Sequence, residues 1–131
     1  MSIVKLVFSY IASEETHQDK TVIIKEGSKG NWVYIIIEGQ VKVKKDSPKG
    51  MVTLYTLKKG DIFGEMILLQ AGEGTRTASI IADGPVRVGV LNTDQLLSDY
   101  DSVSPQLKGL IKSLILRLEK TTQRVVAIAA E

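Results

Sequence analysis

The 131-residue chain contains no cysteine and a single histidine, His17. The first absence removes disulfides, thiolate metal ligands and any cysteine nucleophile. The second removes the multi-histidine clusters that hold most catalytic metals, so no metal site is expected. His17 itself sits in the polar run "SEETHQDK" and reads as a solvated loop histidine. Charge of one sign is missing as well: 17 Lys and Arg face 15 Asp and Glu, and a net charge of +2 gives no broad polycation for a nucleic-acid backbone. No nucleic-acid contact is expected from this chain alone. No apolar run is long enough to span a bilayer, and the opening "MSIVKLVFSYIASEE" has no small-residue cleavage site, so no membrane segment and a cytoplasmic location are expected. A Gly-Lys-Ser or Gly-Lys-Thr run is lacking too, which disfavours a nucleotide-hydrolysing P-loop. With no placed acid–base pair either, no catalytic residue is assigned, and an enzyme acting on a sugar or phosphate is the weakest functional class.

What is present is a rhythm. The length suits one compact domain. Glycines at positions 27, 39, 50, 60, 72 and 84 divide the first ninety residues into short segments rich in Val, Ile, Thr and Tyr. "QVKVKK" and "VRVGVL" alternate apolar with other residues, as a strand with one buried face does. Strands are predicted at 3–10, 21–25, 32–37, 40–45, 51–57, 78–82 and 86–91, with turns at "DSPKG" and "DGP". About seven short strands and no βαβ alternation predict a mainly β chain, an antiparallel jelly-roll-like β-roll.

From Asn92 the pattern becomes helical. "NTDQLLSDY" predicts a short helix, and the stretch from Ser104 a long one, with the Ser104 hydroxyl as cap and Pro105 in the first turn, where its missing N–H costs nothing. The chain thus divides into a β-roll with a connecting helix over 1–103 and a C-terminal helix over 104–131. Along the long helix Leu107, Ile111, Leu114, Leu118, Thr121, Val125 and Ile128 follow one another at alternating steps of four and three. That seven-residue period over several turns favours pairing with a second copy, hence a homodimer, over a stripe that only covers the roll. Leu110 and Ile115 add a face expected to pack on the roll.

The densest chemistry lies in "GDIFGEMILLQAGEGTRTAS", residues 60–79. Glu65 is flanked by Ile62, Phe63 and Gly64 on one side and Met66 to Leu69 on the other, which predicts a half-buried helical turn; a carboxylate there needs donors, and ligand hydroxyls supply them. Gly72 and Gly74 let backbone amides approach an anion, Arg76 offers a planar fork of donors, and Thr77 and Ser79 add hydroxyls. Such a set suits a small ligand bearing both a phosphate and sugar hydroxyls.

"KKGDIFGEMILL" followed by "GTRTAS" resembles the phosphate-binding cassette of cyclic nucleotide-binding domains, and "EGSKGNWVYIIIEGQVKV" is similar to that family's glycine-marked hairpins. The resemblance covers position 21 onward. It implies that Glu65 accepts a hydrogen bond from the ribose 2′-hydroxyl and that Arg76 pairs with the cyclic phosphate. Backbone groups of Gly64, Glu65 and Met66 and from Thr75 to Ala78 complete the cradle, and Thr77 contacts phosphate or purine. The helix segment "RLEKTTQRVVAIA" resembles the long dimerisation helix of bacterial catabolite activator-type regulators, which implies that Thr121 and Thr122 meet the base and favours cAMP, with cGMP as the second ligand. Ile67 departs from the small residue usual after the "FGE" turn, and the loop before Arg76 lacks the family's proline. The chain ends near where a DNA-reading helix pair would begin, so a downstream regulatory domain or protein is an expected partner. The expectation is a non-enzymatic cyclic nucleotide sensor with no cofactor; the rival is a structural or protein-interaction module with a degenerate pocket.

Overall fold

The computed structural model describes residues 8–64 and 75–129. Among the described residues, eight strands form two antiparallel four-stranded sheets. They are β1 (Ile11–His17), β2 (Val22–Ile24), β3 (Tyr34–Glu38), β4 (Gln40–Ser47), β5 (Gly50–Lys58), β6 (Ile62–Phe63), β7 (Ser79–Ala82) and β8 (Val86–Leu91). One sheet has the order β1-β8-β3-β6, the other β2-β7-β4-β5. Two helices follow, α1 (Thr93–Asp101) and α2 (Pro105–Ala129). This is the mainly β, jelly-roll-like architecture with a long terminal helix that the alternation predicts.

The core forms where the two sheets face each other. Ile36, Val41, Val43, Phe63, Val86 and Val88 are buried there, and Tyr34 stacks on Phe63 with ring centroids 4.9 Å apart. The run "VYIII" does not alternate because β3 is covered on both faces. Tyr34 and Ile36 enter the main core, while Val33 and Ile35 join Leu91 beneath Phe8, Tyr10, Ile11 and Leu96. Of the rhythmic glycines, 27, 39, 50, 60 and 84 all take positive φ, between 81° and 106°. Gly39 is the strictest case, since a Cβ there would lie 2.4 Å from the Pro85 carbonyl oxygen. Gly72 lies outside the described residues.

Three expectations are corrected. The strand expected at 3–10 does not extend through its end: Phe8 to Tyr10 close a helical turn, residues 1–7 lie outside the description, and the strand is Ile11–His17. Its composition is polar because it is an edge strand, paired only with β8 and exposed from Ala12 to Thr16. His17 therefore ends a strand rather than sitting in a loop; it is half-buried, with Nε2 3.1 Å from Glu15 Oε1. The two-residue strand β6, paired with Tyr34 and Ile35, was not expected at all.

Asn92 caps α1, its Oδ1 accepting the Gln95 N–H at 3.0 Å. Ser104 caps α2 as predicted: its Oγ accepts from Leu107 N at 3.2 Å. The elbow between the helices is closed by Lys108, whose Nζ is 3.7 Å from Asp101 and 5.5 Å from the centre of the Tyr100 ring. α2 lies against β4 and β5, with Ile111 and Ile115 half-buried. Leu110, expected on that face, is instead exposed, as are Leu107, Leu114, Leu118, Val125 and Ile128. A helix turns about 100° per residue, so Ile111 and Ile115 share a face that Leu110 cannot join. No described helix is long and apolar enough to cross a membrane.

Candidate functional site

Strand β6 delivers Gly64, and the segment entering β7 delivers Thr75 to Ala78, to the same end of the roll. Backbone pairing holds the second segment in place. The Arg76 N–H donates to Ser28 O and the Arg76 carbonyl accepts from Gly27 N, both at 2.8 Å, while Lys29 and Thr75 form an isolated antiparallel bridge. The loop after β2 therefore works as an extra strand alongside residues 75–76.

Arg76 is only 7% exposed. Its guanidinium reaches across to two carbonyls from separate parts of the chain: Nη2 donates to Trp32 O at 2.8 Å and Nη1 to Gly64 O at 3.1 Å. The planar fork suits this pair because its two terminal nitrogens sit apart, each on its own carbonyl, whereas an ammonium brings a single nitrogen to both. Two glycines make room for it. A Cβ at Gly30 would lie 3.3 Å from Nη2, and one at Gly64, where φ is +83°, would lie 3.0 Å from Nη1 and 2.8 Å from Trp32 O. The cation stays charged at any physiological pH. It is felt at Tyr34, whose phenol is pushed above its ordinary value first by burial and then by Glu15, with Arg76 acting in the opposite direction.

Arg76 stands at the edge of an open recess of about 80 Å³. Ile24, Val43, Leu57 and Ile80 supply apolar walls, while Gly64, Thr75, Arg76 and Thr77 bring polar groups to one side. An apolar hollow with a few convergent polar groups and a fixed cation accommodates a ligand with one anionic end and one flat or apolar end. Among the described residues no cluster of His, Cys, Asp and Glu could hold a metal ion.

The structure brings together four of the residues predicted for the site, Gly64, Arg76, Thr77 and Ala78. Glu65 and Met66 lie outside the described residues, as do Gly72 and Gly74. Thr121 is exposed on α2, its hydroxyl donating to Arg117 O at 3.0 Å, and it does not line the recess. Thr122 belongs to α2, but its side chain is outside the description. Ser79 does not line the recess either: it is buried and its Oγ accepts the Glu26 N–H at 2.9 Å. Sequence reasoning missed Gly30, the Trp32 carbonyl and Tyr55, which also borders the recess. Only Gly30 left a trace, as the second glycine of "EGSKGNW".

Known proteins share this fold. A family model described as "Cyclic nucleotide-binding domain" matches residues 14–101. The chain is 36% identical over 109 residues to the mouse cyclic nucleotide-gated channel beta-3, covering 80% of this chain and 16% of the channel. It is 32% identical over 107 residues to a CRP-like cAMP-activated global transcriptional regulator of Mycobacterium tuberculosis, covering 79% of this chain and 46% of the regulator. The EAL enzyme Bd1971 superimposes with a TM-score of 0.75 in both its cAMP-bound form, at 27% identity, and its cGMP-bound form, at 29%. Each match covers 86% of this chain and 30% of the enzyme chain. The chain spans less than half the length of the curated relatives it matches.

Proposed function

The chain belongs to the cyclic nucleotide-binding domain family, and from that premise we propose that it is a cAMP-preferring sensor that reports occupancy through its C-terminal helix. It corresponds to the non-catalytic, ligand-sensing part of such proteins. The observation that carries the reading is Arg76, a nearly buried cation whose orientation is fixed by backbone carbonyls at the edge of an open, mostly apolar recess. In water an arginine would be mobile and hydrated; here its direction is set before any ligand arrives, which lowers the ordering cost of binding.

In the proposed complex the cyclic phosphate lies against Arg76 and the backbone of Thr77 and Ala78. Glu65 accepts from the ribose 2′-hydroxyl, and the purine lies over the apolar walls. Thr121 or Thr122 then meets the base, which requires α2, on which Thr121 is now turned to solvent, to come over the recess mouth from its own or a second chain. The cAMP preference rests on this pair of hydroxyls and on the cAMP-activated regulator among the relatives; the cGMP-bound form of the EAL enzyme keeps cGMP as the second ligand. The exposed stripe of Leu107, Leu114, Leu118, Val125 and Ile128 keeps a seven-residue period, and we assign it to a second copy of the chain. Ligand shifts the helices only to the extent that it binds one arrangement more tightly.

The test is titration calorimetry of the chain with cAMP and with cGMP, joined to sedimentation with and without ligand. Saturable binding at one site per chain, tighter for cAMP, in a dimer is the expected result. A folded dimer that takes up neither nucleotide would leave a structural module with a degenerate pocket.

A further inference from the structure

A set of groups outside the recess is wired to the same turn. Lys45 on β4 donates from Nζ to the Thr77 carbonyl at 2.5 Å, and the same Nζ lies 3.6 Å from Glu26 Oε2. Both side chains are largely covered, at 22% and 23% exposure. Glu26 is itself fixed at two further points. Its Oε1 accepts the Asp46 N–H at 2.9 Å, and its own N–H goes to the buried Ser79 Oγ at 2.9 Å. The next residue, Gly27, donates to the Arg76 carbonyl. Arg76, Thr77 and Ser79 are thus each held by the 26–27 loop or by Lys45.

The Thr77 carbonyl is the informative member. No described peptide bond is cis, and in a trans peptide the C=O and the following N–H point in opposite directions. A Thr77 carbonyl drawn to Lys45 therefore turns the Ala78 N–H to the other side of the chain. Thr77 and Ala78 both border the recess, next to Arg76. Rotation of this one peptide would exchange an N–H donor for a carbonyl oxygen on the side away from Lys45, so that an anion held there would meet repulsion in place of attraction.

We propose that Lys45, held by Glu26, is a positioning residue that sets the direction of the Thr77–Ala78 peptide and so determines how well the site beside Arg76 accepts the phosphate of its ligand. The inference rests on the nucleotide-sensing reading. Lys45 acts through the backbone and does not touch the ligand. This separates it from a second explanation, that its positive charge merely attracts the anion, and the two predict opposite signs at Glu26. Neutralising Glu26 removes a negative charge near the site, so a charge role makes Glu26→Gln bind nucleotide more tightly. In the positioning role, Glu26→Gln loosens the hold on Lys45 and binding weakens.

The experiment is cAMP titration calorimetry on Lys45→Met, Lys45→Arg and Glu26→Gln, with urea unfolding of each. Lys45→Met is expected to weaken cAMP binding about tenfold, Lys45→Arg, which keeps a donor, to recover to within about threefold of the parent, and Glu26→Gln to weaken it about two- to threefold. Lys45→Met binding within twofold of the parent, Lys45→Arg as weak as Lys45→Met, or tighter binding by Glu26→Gln would each overturn the assignment. Should Lys45→Met not fold, the sign of the Glu26→Gln effect decides. A parent chain that binds no cyclic nucleotide overturns the sensing reading and this inference with it; a parent that binds alongside an indifferent Lys45→Met overturns this inference alone.

Discussion

Replacing Arg76 by lysine keeps the charge and removes the fork, so it separates two ways in which a cation can serve an anion site. In the parent chain Nη1 and Nη2 are committed to Gly64 O at 3.1 Å and Trp32 O at 2.8 Å. An ammonium has three N–H donors but only one nitrogen, so it cannot place a separate nitrogen on each carbonyl and still offer a fork to a phosphate. One carbonyl then stays unpaired in a place where the arginine is 7% exposed, at a cost of about 1–3 kcal/mol to the folded chain. On the ligand side, a paired contact becomes a single one from a cation that must first be ordered. A loss of about 1.4–2.8 kcal/mol follows, or roughly ten- to a hundredfold in affinity for cAMP. Calorimetry with cAMP measures the second quantity and urea unfolding the first. If Arg76→Lys binds cAMP within twofold of the parent and unfolds at the same urea concentration, the carbonyl-held fork is irrelevant to recognition. The site would then have to be rebuilt around charge alone.

Two other changes test the frame around that arginine. Gly64→Ala places a Cβ 2.8 Å from Trp32 O at a φ of +83°, and should destabilise the chain by about 2 kcal/mol or more in urea unfolding through left-handed strain and overlap together; a loss below about 0.5 kcal/mol would contradict the tight approach. Tyr34 has a phenol raised above its ordinary value of 10.0 chiefly by burial, so its contribution to stability is fully present below the unfolded value and is lost as pH rises through the higher folded one. The parent should therefore lose unfolding free energy more steeply than Tyr34→Phe as pH rises above about 10, and equal slopes would show that the phenol is not desolvated.

How far the sequence discloses this molecule depends on whether a feature is local. β4 and β8 announce themselves because Val41 and Val43, and Val86, Val88 and Val90, recur every second residue and all face the core. The two helix starts are equally legible, since the Asn92 and Ser104 caps act within three residues of themselves. β1 is not legible. Ala12 to Thr16 have no apolar period to show, and their extended form comes from pairing with β8, more than seventy residues away, where Glu14 faces Gly89 and its carboxylate lies 3.3 Å from Arg87. β6 is two residues long and exists only through β3. The site divides in the same way. Arg76 stands out as the one cation in "GTRTAS", but its holders Trp32 and Gly64 are 44 and 12 residues away, and they contribute carbonyls that every residue possesses.

That distribution also bears on how occupancy could leave the recess under the proposed sensing role. Val43 on β4 and Tyr55 and Leu57 on β5 border the recess, and the same two strands are those against which α2 lies. Under that role the β4–β5 hairpin would be shared between ligand and helix, and β4 also carries Lys45, which is tied to the Thr77 carbonyl. Shared contact is not yet coupling: a two-state helix moves from 1:99 to 99:1 only if ligand prefers one arrangement by about 10⁴-fold, or about 5.5 kcal/mol. Apolar contact that is the same in both arrangements cannot supply such a difference. Contacts that exist in one arrangement and not the other can, and Thr121, whose hydroxyl is now spent on the Arg117 carbonyl of its own helix, is a group that would change partners. Under that proposal the energy of the switch resides at the helix end of the ligand, because contacts at Arg76 that are the same in both arrangements would add nothing to it.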